Sequence, residues 1–443
     1  MGINEMFKIM SVTLDINDFC NMKCSYCWEQ KGKNRLTMEN ASIICDRLID
    51  NFKTNKPASN IRVHFFGGEP LLDWDLIKFI IEKISVEMPA WFGITTNASI
   101  IDDSMIEYFV EKNIGVMVSI DGTKETHDSK RRFLDGTGTY DIVSENLKKI
   151  LDAGVDCEAR MTVTPKDAKH LYDDILHLVE MGAKHIAPCP VYDQEWSDED
   201  LEHFKNAMIK TYDLYIQKHF DQESKIYIKF FEDYLFKDIS LNHKSVPCGF
   251  GTNTTVTIDA AGNIYPCHQV PTRADKEKFI LGNFITGEVY DNENVKPVKP
   301  GDFYSEKCID CEAYNTICGG GCLMESYEEN KDLLCPTNTT CLFYRLYHKT
   351  ISEIQNEGIP SPRSPSERRD FLHSSVTRIL KNIRDIIEEN KGKEMETETI
   401  AKISEAMWMV NEQVLNNKSI HFNTIDIMSE IKDVSDLIRA EVK

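Results

Sequence analysis

The chain has 443 residues, with 51 basic and 72 acidic side chains and a formal charge of −21. At 41% apolar and 28% charged it has the composition of a globular protein of roughly two to three domains. The acidic balance argues against nucleic acid as the main partner, no apolar run approaches the ~18 residues of a membrane span, and the N-terminus lacks the basic start and apolar stretch of a signal peptide.

Residues 10–190 alternate strand and helix. Strand-like runs fall at 11–16, 61–66, 91–96, 115–120, 157–164 and 184–191, with helical patterns near 38–53, 74–87, 102–112, 140–153 and 167–181. Continuous apolar strands separated by helices predict a parallel sheet covered by helices, either a partial barrel or a doubly wound sheet. Polar residues and glycines stand at the strand ends: Asp18 and Asn21, Gly67 to Glu69, Thr96 and Asn97, Ser119 to Gly122. Ligands bind at the carboxyl ends of strands in such folds, so these residues should converge on one face. Residues 197–238 read as helical and aromatic-rich, and 245–345 as a Cys- and Gly-rich segment with short strands, TTVTID leading into the turn AAGN. Residues 358–366 form a Pro/Ser linker. Three amphipathic stretches follow, led by Leu372, Val376 and Ile379, by Ile400, Ile403 and Met407, and by Met428, Ile431 and Val434. Their apolar faces are read as packing on one another or on the barrel, in preference to a groove for a partner.

Fourteen cysteines stand out. Reduced thiols in such number point to metal or catalysis in a cytoplasmic protein. Cys45, Cys157 and Cys189 are isolated and read as core packing, with a site-facing position as the alternative for Cys189. The other eleven form two groups. Cys20, Cys24 and Cys27 follow the first strand directly, with no Cys or His between residues 28 and 44 to complete a zinc knuckle. A structural cluster would also want four thiolates. Three thiolates leave one coordination position open, which favours a reactive iron centre.

The spacing Cys20-x-x-x-Cys24-x-Tyr26-Cys27 resembles the hallmark of the radical S-adenosylmethionine (radical SAM) superfamily. Gly67-Gly68-Glu69-Pro70, Thr96-Asn97 and Ser119-Ile120-Asp121-Gly122 are similar to its later strand-end motifs, and Arg160 to a position that meets the SAM carboxylate. Their order at successive strand ends makes ordinary turn chemistry a poor account. The resemblance implies a partial (β/α)6 TIM-like barrel over residues 1–238 with trailing helices. It also implies a SAM-binding 4Fe-4S cluster on Cys20, Cys24 and Cys27, a role for Glu69 and its strand edge at the SAM amino group, glycines that let backbone approach the methionyl group, and Tyr26 over the cluster or adenine.

Residues 239–357, with Cys248, Cys267, Cys308, Cys311, Cys318, Cys322, Cys335 and Cys341, resemble the SPASM domain of radical SAM maturases. One extra residue separates Cys311 from Cys318. The resemblance implies two auxiliary 4Fe-4S clusters, one on Cys248, Cys267 and Cys322, the other on Cys308, Cys311, Cys318 and Cys341. Cys335 either completes the first or leaves it an open iron. His268 stands where sulfatase maturases carry an Asp base, and the YPCHQ segment resembles thioether-forming peptide maturases.

The expected function is oxidative modification of a ribosomally made peptide, forming a Cys thioether, with His268 as candidate base. The alternatives are a sulfatase-type maturase making formylglycine and, in another class, a non-catalytic electron-transfer or redox-sensing protein. The expected partners are a peptide or protein substrate and a flavodoxin- or ferredoxin-like electron donor, with no nucleic acid and no membrane. About ten residues precede the first strand, too few for a winged-helix leader-recognition domain. Residues 358–443 are expected to form a linker and helical tail.

Overall fold

The computed structural model describes residues 2–29, 31–219, 225–232, 249–273, 275–296, 306–314, 317–356 and 387. Cys248 and, apart from Ile387, the expected helical tail lie outside them. The chain divides into two compact units: residues 1–235 with 243–350, and residues 236–242 with 351–443. The first unit holds everything that follows.

Its centre is a ten-stranded sheet: β1 (Ser11–Asp15), β2 (Ile61–Phe66), β3 (Ala90–Thr96), β4 (Gly115–Ser119), β5 (Cys157–Val163), β6 (His185–Pro190), β7 (Tyr227–Ile228), β8 (Thr255–Ile258), β9 (Asn263–Tyr265) and β10 (Gly282–Asn283). In space the order is β10-β9-β8-β1-β2-β3-β4-β5-β6-β7. Every pair from β8 to β7 is parallel, and the last two strands turn back antiparallel. The α/β partial barrel expected from the sequence is present, with its six main strands within one residue of the expected ends. Two features were not anticipated. β7 interrupts the stretch read as helical after Asp198–His219, and β8 of the Cys-rich segment joins the free edge of β1 and extends the barrel sheet.

Strand alternation sorts the side chains. Val12, Leu14, Val63, Phe65, Ile94, Val116, Val118, Ala159, Met161 and Ile186 are buried. Their neighbours Thr13, His64, Thr95, Met117, Ser119, Glu158, Arg160, Thr162 and Cys189 line an internal cavity. Helices such as Met38–Asn55 and Trp74–Glu87 place Ile44, Leu48, Ile77, Ile80 and Ile84 in the core. Cys45 and Cys157 are buried as expected.

Gly122, after β4, has φ +102°, and a Cβ there would lie 2.2 Å from Asp174 Cβ. That packing lets Asp174 Oδ1 accept from the Thr123 backbone and hydroxyl, at 2.8 and 2.9 Å. Gly122→Ala is expected to cost about 2 kcal/mol or more from left-handed strain plus overpacking, read as a lowered unfolding midpoint in denaturant.

Candidate active site

The cysteine loop is tied to the barrel by a buried carboxylate. Asp121, at the end of β4, is 1% exposed. It accepts from the Tyr26 hydroxyl at 2.8 Å, from Arg131 Nη2 at 3.1 Å and from the Thr162 backbone at 2.9 Å, and Arg131 Nε stands 3.0 Å from its other oxygen as an ion pair. Burial opposes its charge, but Arg131 and Lys130 outweigh that and hold the carboxyl well below the usual range. Arg131 and Lys130 also stand over the Tyr26 ring at 5.2 and 5.8 Å. Asp121, expected at the cofactor, thus stands behind the cavity wall and positions Tyr26 and Arg131, which line it.

Glu69 is the second anchor. Its Oε1 accepts from Leu71 N–H (3.1 Å) and the Thr96 hydroxyl (2.7 Å), and Oε2 from Asn97 N–H (2.7 Å). Burial pushes this carboxyl up to about 7 against those three donors. The glycines before it have a structural reason beyond an approach to SAM. A Cβ on Gly67 would meet the Asn17 carbonyl at 2.3 Å, and one on Gly68 the Phe19 carbonyl at 2.1 Å. The turn therefore packs directly on the strand-to-cysteine-loop backbone, and Gly68 and Glu69 donate their N–H groups to those same carbonyls at 2.9 and 3.0 Å.

Cys20 receives two donors, Met22 N–H at 3.4 Å and Asn97 Nδ2 at 3.7 Å. Asn97 also holds Asn21 at 2.9 Å. Burial pushes the Cys20 thiol up to about 11 and also raises Cys24. Donors aimed at sulfur suit a thiolate, the form that ligates metal. Cys20 and Cys24, and Cys24 and Cys27, are electrostatic neighbours. Among the described residues no three ligating side chains close on a single ion.

Glu69 lines, and Asp121 stands behind, one cavity of about 570 Å³. One wall carries Cys20, Cys24, Tyr26, Cys27 and Trp28, and another Gly67, Gly68, Glu69, Thr96 and Asn97. Ser119 and Arg160 come from β4 and β5, and His268, Gln269, Arg273 and Cys322 from the Cys-rich segment. Strand register assembles the deeper wall: Thr13 sits beside His64, Thr95 beside Met117 beside Glu158, Ser119 beside Arg160, and Thr162 beside Cys189. Cys189 is therefore a cavity residue, against the preferred core reading, and it is an electrostatic neighbour of Arg160. Nothing in the local sequence marks it; only the inward phase of β6 does. Arg160 has no carboxylate in ion-pair reach among the described residues, which leaves its charge available to an anionic group.

The Cys-rich segment contributes the far wall. The His268 ring packs against Phe66 (centroids 5.6 Å) and Trp28 (6.3 Å), and Trp28 stacks on Phe66 at 6.2 Å. His268 is exposed to the lumen, and desolvation within the cavity, with Arg160 nearby, pulls its ring down to about 4. Gln269 donates its N–H to Cys267 Sγ at 3.4 Å, and its Oε1 lies 3.9 Å from Cys322 Sγ. Elsewhere in the segment Cys318 lies in the field of Cys341, Cys308 and Cys311, and burial pushes its thiol up to about 12. Cys335 is an electrostatic neighbour of Cys341. On Cys311 burial is outweighed by Arg345, which donates to the sulfur and holds that thiol below its ordinary value.

The Glu69 shift gives a pH test. Its folded value is raised, so its contribution to stability is complete below about 4.5 and is lost as pH rises through about 7. Relative to wild type, the E69Q protein should gain about 3 kcal/mol between those limits, measured by denaturant midpoints in the apo protein at a series of pH values.

Residues 14–179 match the family model described as the Radical SAM superfamily. Over 368 residues the chain is 24% identical to the cysteine-type anaerobic sulfatase-maturating enzyme of Clostridium novyi, covering 76% of this chain and 93% of that one. It is 22% identical over 374 residues to the radical SAM cyclopropyl synthase TigE of Paramaledivibacter caminithermalis, covering 78% and 74%. Among solved structures, native anSMEcpe with bound AdoMet and Cp18Cys peptide superposes with a TM-score of 0.63 at 21% identity, over 78% of this chain and 99% of that one, a likeness of fold. No described helix is long and apolar enough to cross a membrane. The cysteine loop, the strand-end anchors and the family match agree: residues 14–179 carry a radical SAM domain, and the relatives of this chain include anaerobic sulfatase-maturating enzymes and a cyclopropyl synthase.

Proposed function

We propose that this protein reductively cleaves S-adenosylmethionine and oxidises a ribosomally made peptide, forming a thioether at a peptide cysteine. One observation carries the reading: a single cavity joins the Cys20, Cys24 and Cys27 loop to Cys322 and the neighbours of Cys267. When bound, a 4Fe-4S cluster and SAM supply one-electron C–S cleavage and a hydrogen-abstracting radical.

The chain's own residues then have distinct tasks. Cys20, Cys24 and Cys27 would hold the SAM cluster, with the Met22 N–H and Asn97 amide steadying the Cys20 sulfur. Arg160 and Ser119 would meet the SAM carboxylate. Glu69 fixes the turn whose backbone faces the amino group and, once ionised, offers its charge. Tyr26, pinned by Asp121, would cover the cluster side. Trp28 and Phe66 would give the wall nearest the Cys-rich segment an apolar face. A neutral His268 there can accept a proton from the substrate.

The two auxiliary clusters would take Cys248, Cys267 and Cys322, and Cys308, Cys311, Cys318 and Cys341. We leave Cys335, an electrostatic neighbour of Cys341, out of the first set. That set would then have three protein thiolates, and Cys322 in the cavity wall supports a peptide thiolate as its fourth. We assign residues 1–238 to the radical SAM part, 239–357 to the SPASM part and 358–443 to a tail, in a cytoplasmic protein.

A sulfatase-type maturase is the second reading, favoured by the relative in Clostridium novyi. The cavity base separates the two, His268 here against the Asp of that family. A peptide substrate suits both, as in the solved relative with a bound peptide.

Anaerobically reconstituted protein with dithionite is expected to release 5′-deoxyadenosine from SAM, and Cys24→Ala to abolish release; a fully iron-loaded wild type that releases none would refute the reading. With a Cys-containing precursor peptide, mass spectrometry should show loss of two hydrogens per link with that thiol closed to alkylation. Formylglycine in place of a cross-link would decide for the second reading.

A further inference from the structure

The cysteine loop is bridged to a second segment. Met22 pairs antiparallel with Phe133. Lys23 N–H donates to the Arg132 carbonyl at 2.8 Å, and Ser25 N–H to the Lys130 carbonyl at 3.0 Å. Met22 is 2% exposed and Phe133 is half-buried. Adjacent residues of an extended pair face opposite sides, so Lys23 and Arg132 turn outward together. Both are exposed, and the next residue along, Leu134, is 67% exposed.

Two like charges side by side across an extended pair are destabilising. In a chain of charge −21 a compensating carboxylate would be easy to supply, yet among the described residues neither cation has one in ion-pair reach. Arg132 donates to the Gly136 carbonyl at 2.9 Å. The nearby Asp135 carboxylate caps the Thr137 backbone and hydroxyl in its own turn, at 2.9 and 2.7 Å. An unneutralised basic spot with an exposed apolar side chain therefore lies on the outer side of the loop, between Cys20 and Cys24.

We propose that the Lys23, Arg132 and Leu134 face docks an acidic one-electron donor protein of the flavodoxin class. The inference rests on the reading of Cys20, Cys24 and Cys27 as cluster ligands. One electron would pass from the donor's anionic flavin hydroquinone to the oxidised cluster that Cys20, Cys24 and Cys27 would hold, leaving the neutral flavin semiquinone with no proton released. The net charge of −21 opposes the approach of an acidic donor, so a local basic spot both attracts and orients the encounter. Leu134 supplies the apolar contact at its centre.

The test compares wild type with the K23E/R132E double variant, and with K23A/R132A as the milder change, using either reduced flavodoxin or dithionite as electron source. With flavodoxin, SAM cleavage should fall about tenfold or more in the double reversal, and the wild-type rate should fall steeply as salt rises toward about 0.3 M. Dithionite-driven cleavage, iron content and the cluster's EPR signal should not change. Calorimetric binding of flavodoxin should be lost, and this arm reads the face even if SAM cleavage fails in the wild type. Unchanged flavodoxin binding and flavodoxin-driven rates in the variants would overturn the proposal. A raised KM for peptide with dithionite as reductant would overturn it in favour of an acidic peptide substrate on the same face.

Discussion

A carboxylate shut away from water is costly unless its charge is matched, and Asp121 makes that cost the organising constraint of the site. Its partners come from four places: Tyr26 from the cysteine loop, Arg131 and Lys130 from the segment after Lys124–Lys130 and its last turn, and the Thr162 N–H from β5. No partner can move without stranding the charge, and breaking such a buried pair costs about 3–5 kcal/mol. The loop that carries three cysteines is thereby held against the strand ends by electrostatics as well as by its backbone bonds to Gly68, Glu69, Lys130 and Arg132. The outward pairing of Lys23 with Arg132 follows, because Arg131 pins the segment that Lys23 bonds to.

Glu69 plays the matching part on the other side. Its three donors come from its own turn and from the end of β3. The glycines before it let that turn lie on the Asn17–Phe19 backbone. Between the two carboxylates, the cysteine loop has a floor and a wall. The cavity is what remains, and its depth is set by parallel register, which ranks inward residues of adjacent strands side by side. Gly93 shows the economy of that packing: a Cβ there would stand 2.7 Å from His64 Nδ1, so the strand beside His64 gives up its side chain.

The Cys-rich segment reaches the same cavity through the sheet. β8 adds parallel to β1, and the chain beyond β9 passes His268 and Gln269 along the cavity mouth. Aromatic rings fill the seam, with Trp28 next to Cys27 and His268 next to Cys267. The two cysteine groups, some 240 residues apart in sequence, thus share one wall of apolar side chains.

Much of this was legible beforehand. The six barrel strands, the strand-end placement of Gly67 to Glu69, Thr96, Asn97 and Ser119, and the three-cysteine loop all follow from local periodicity and spacing, which short-range backbone geometry enforces. Three things did not. Cys189 faces the cavity and Asp121 stands behind it because of the phase in which β6 and β4 meet their neighbours. β8 extends the barrel because an edge of β1 lay open to it. Each depends on hydrogen bonds between segments far apart in sequence, and no local pattern encodes which of two strand faces will look inward. The sequence by itself determined the chemistry available, in its cysteines, glycines and carboxylates; tertiary pairing alone decided which of them face the cavity and which hold it in shape.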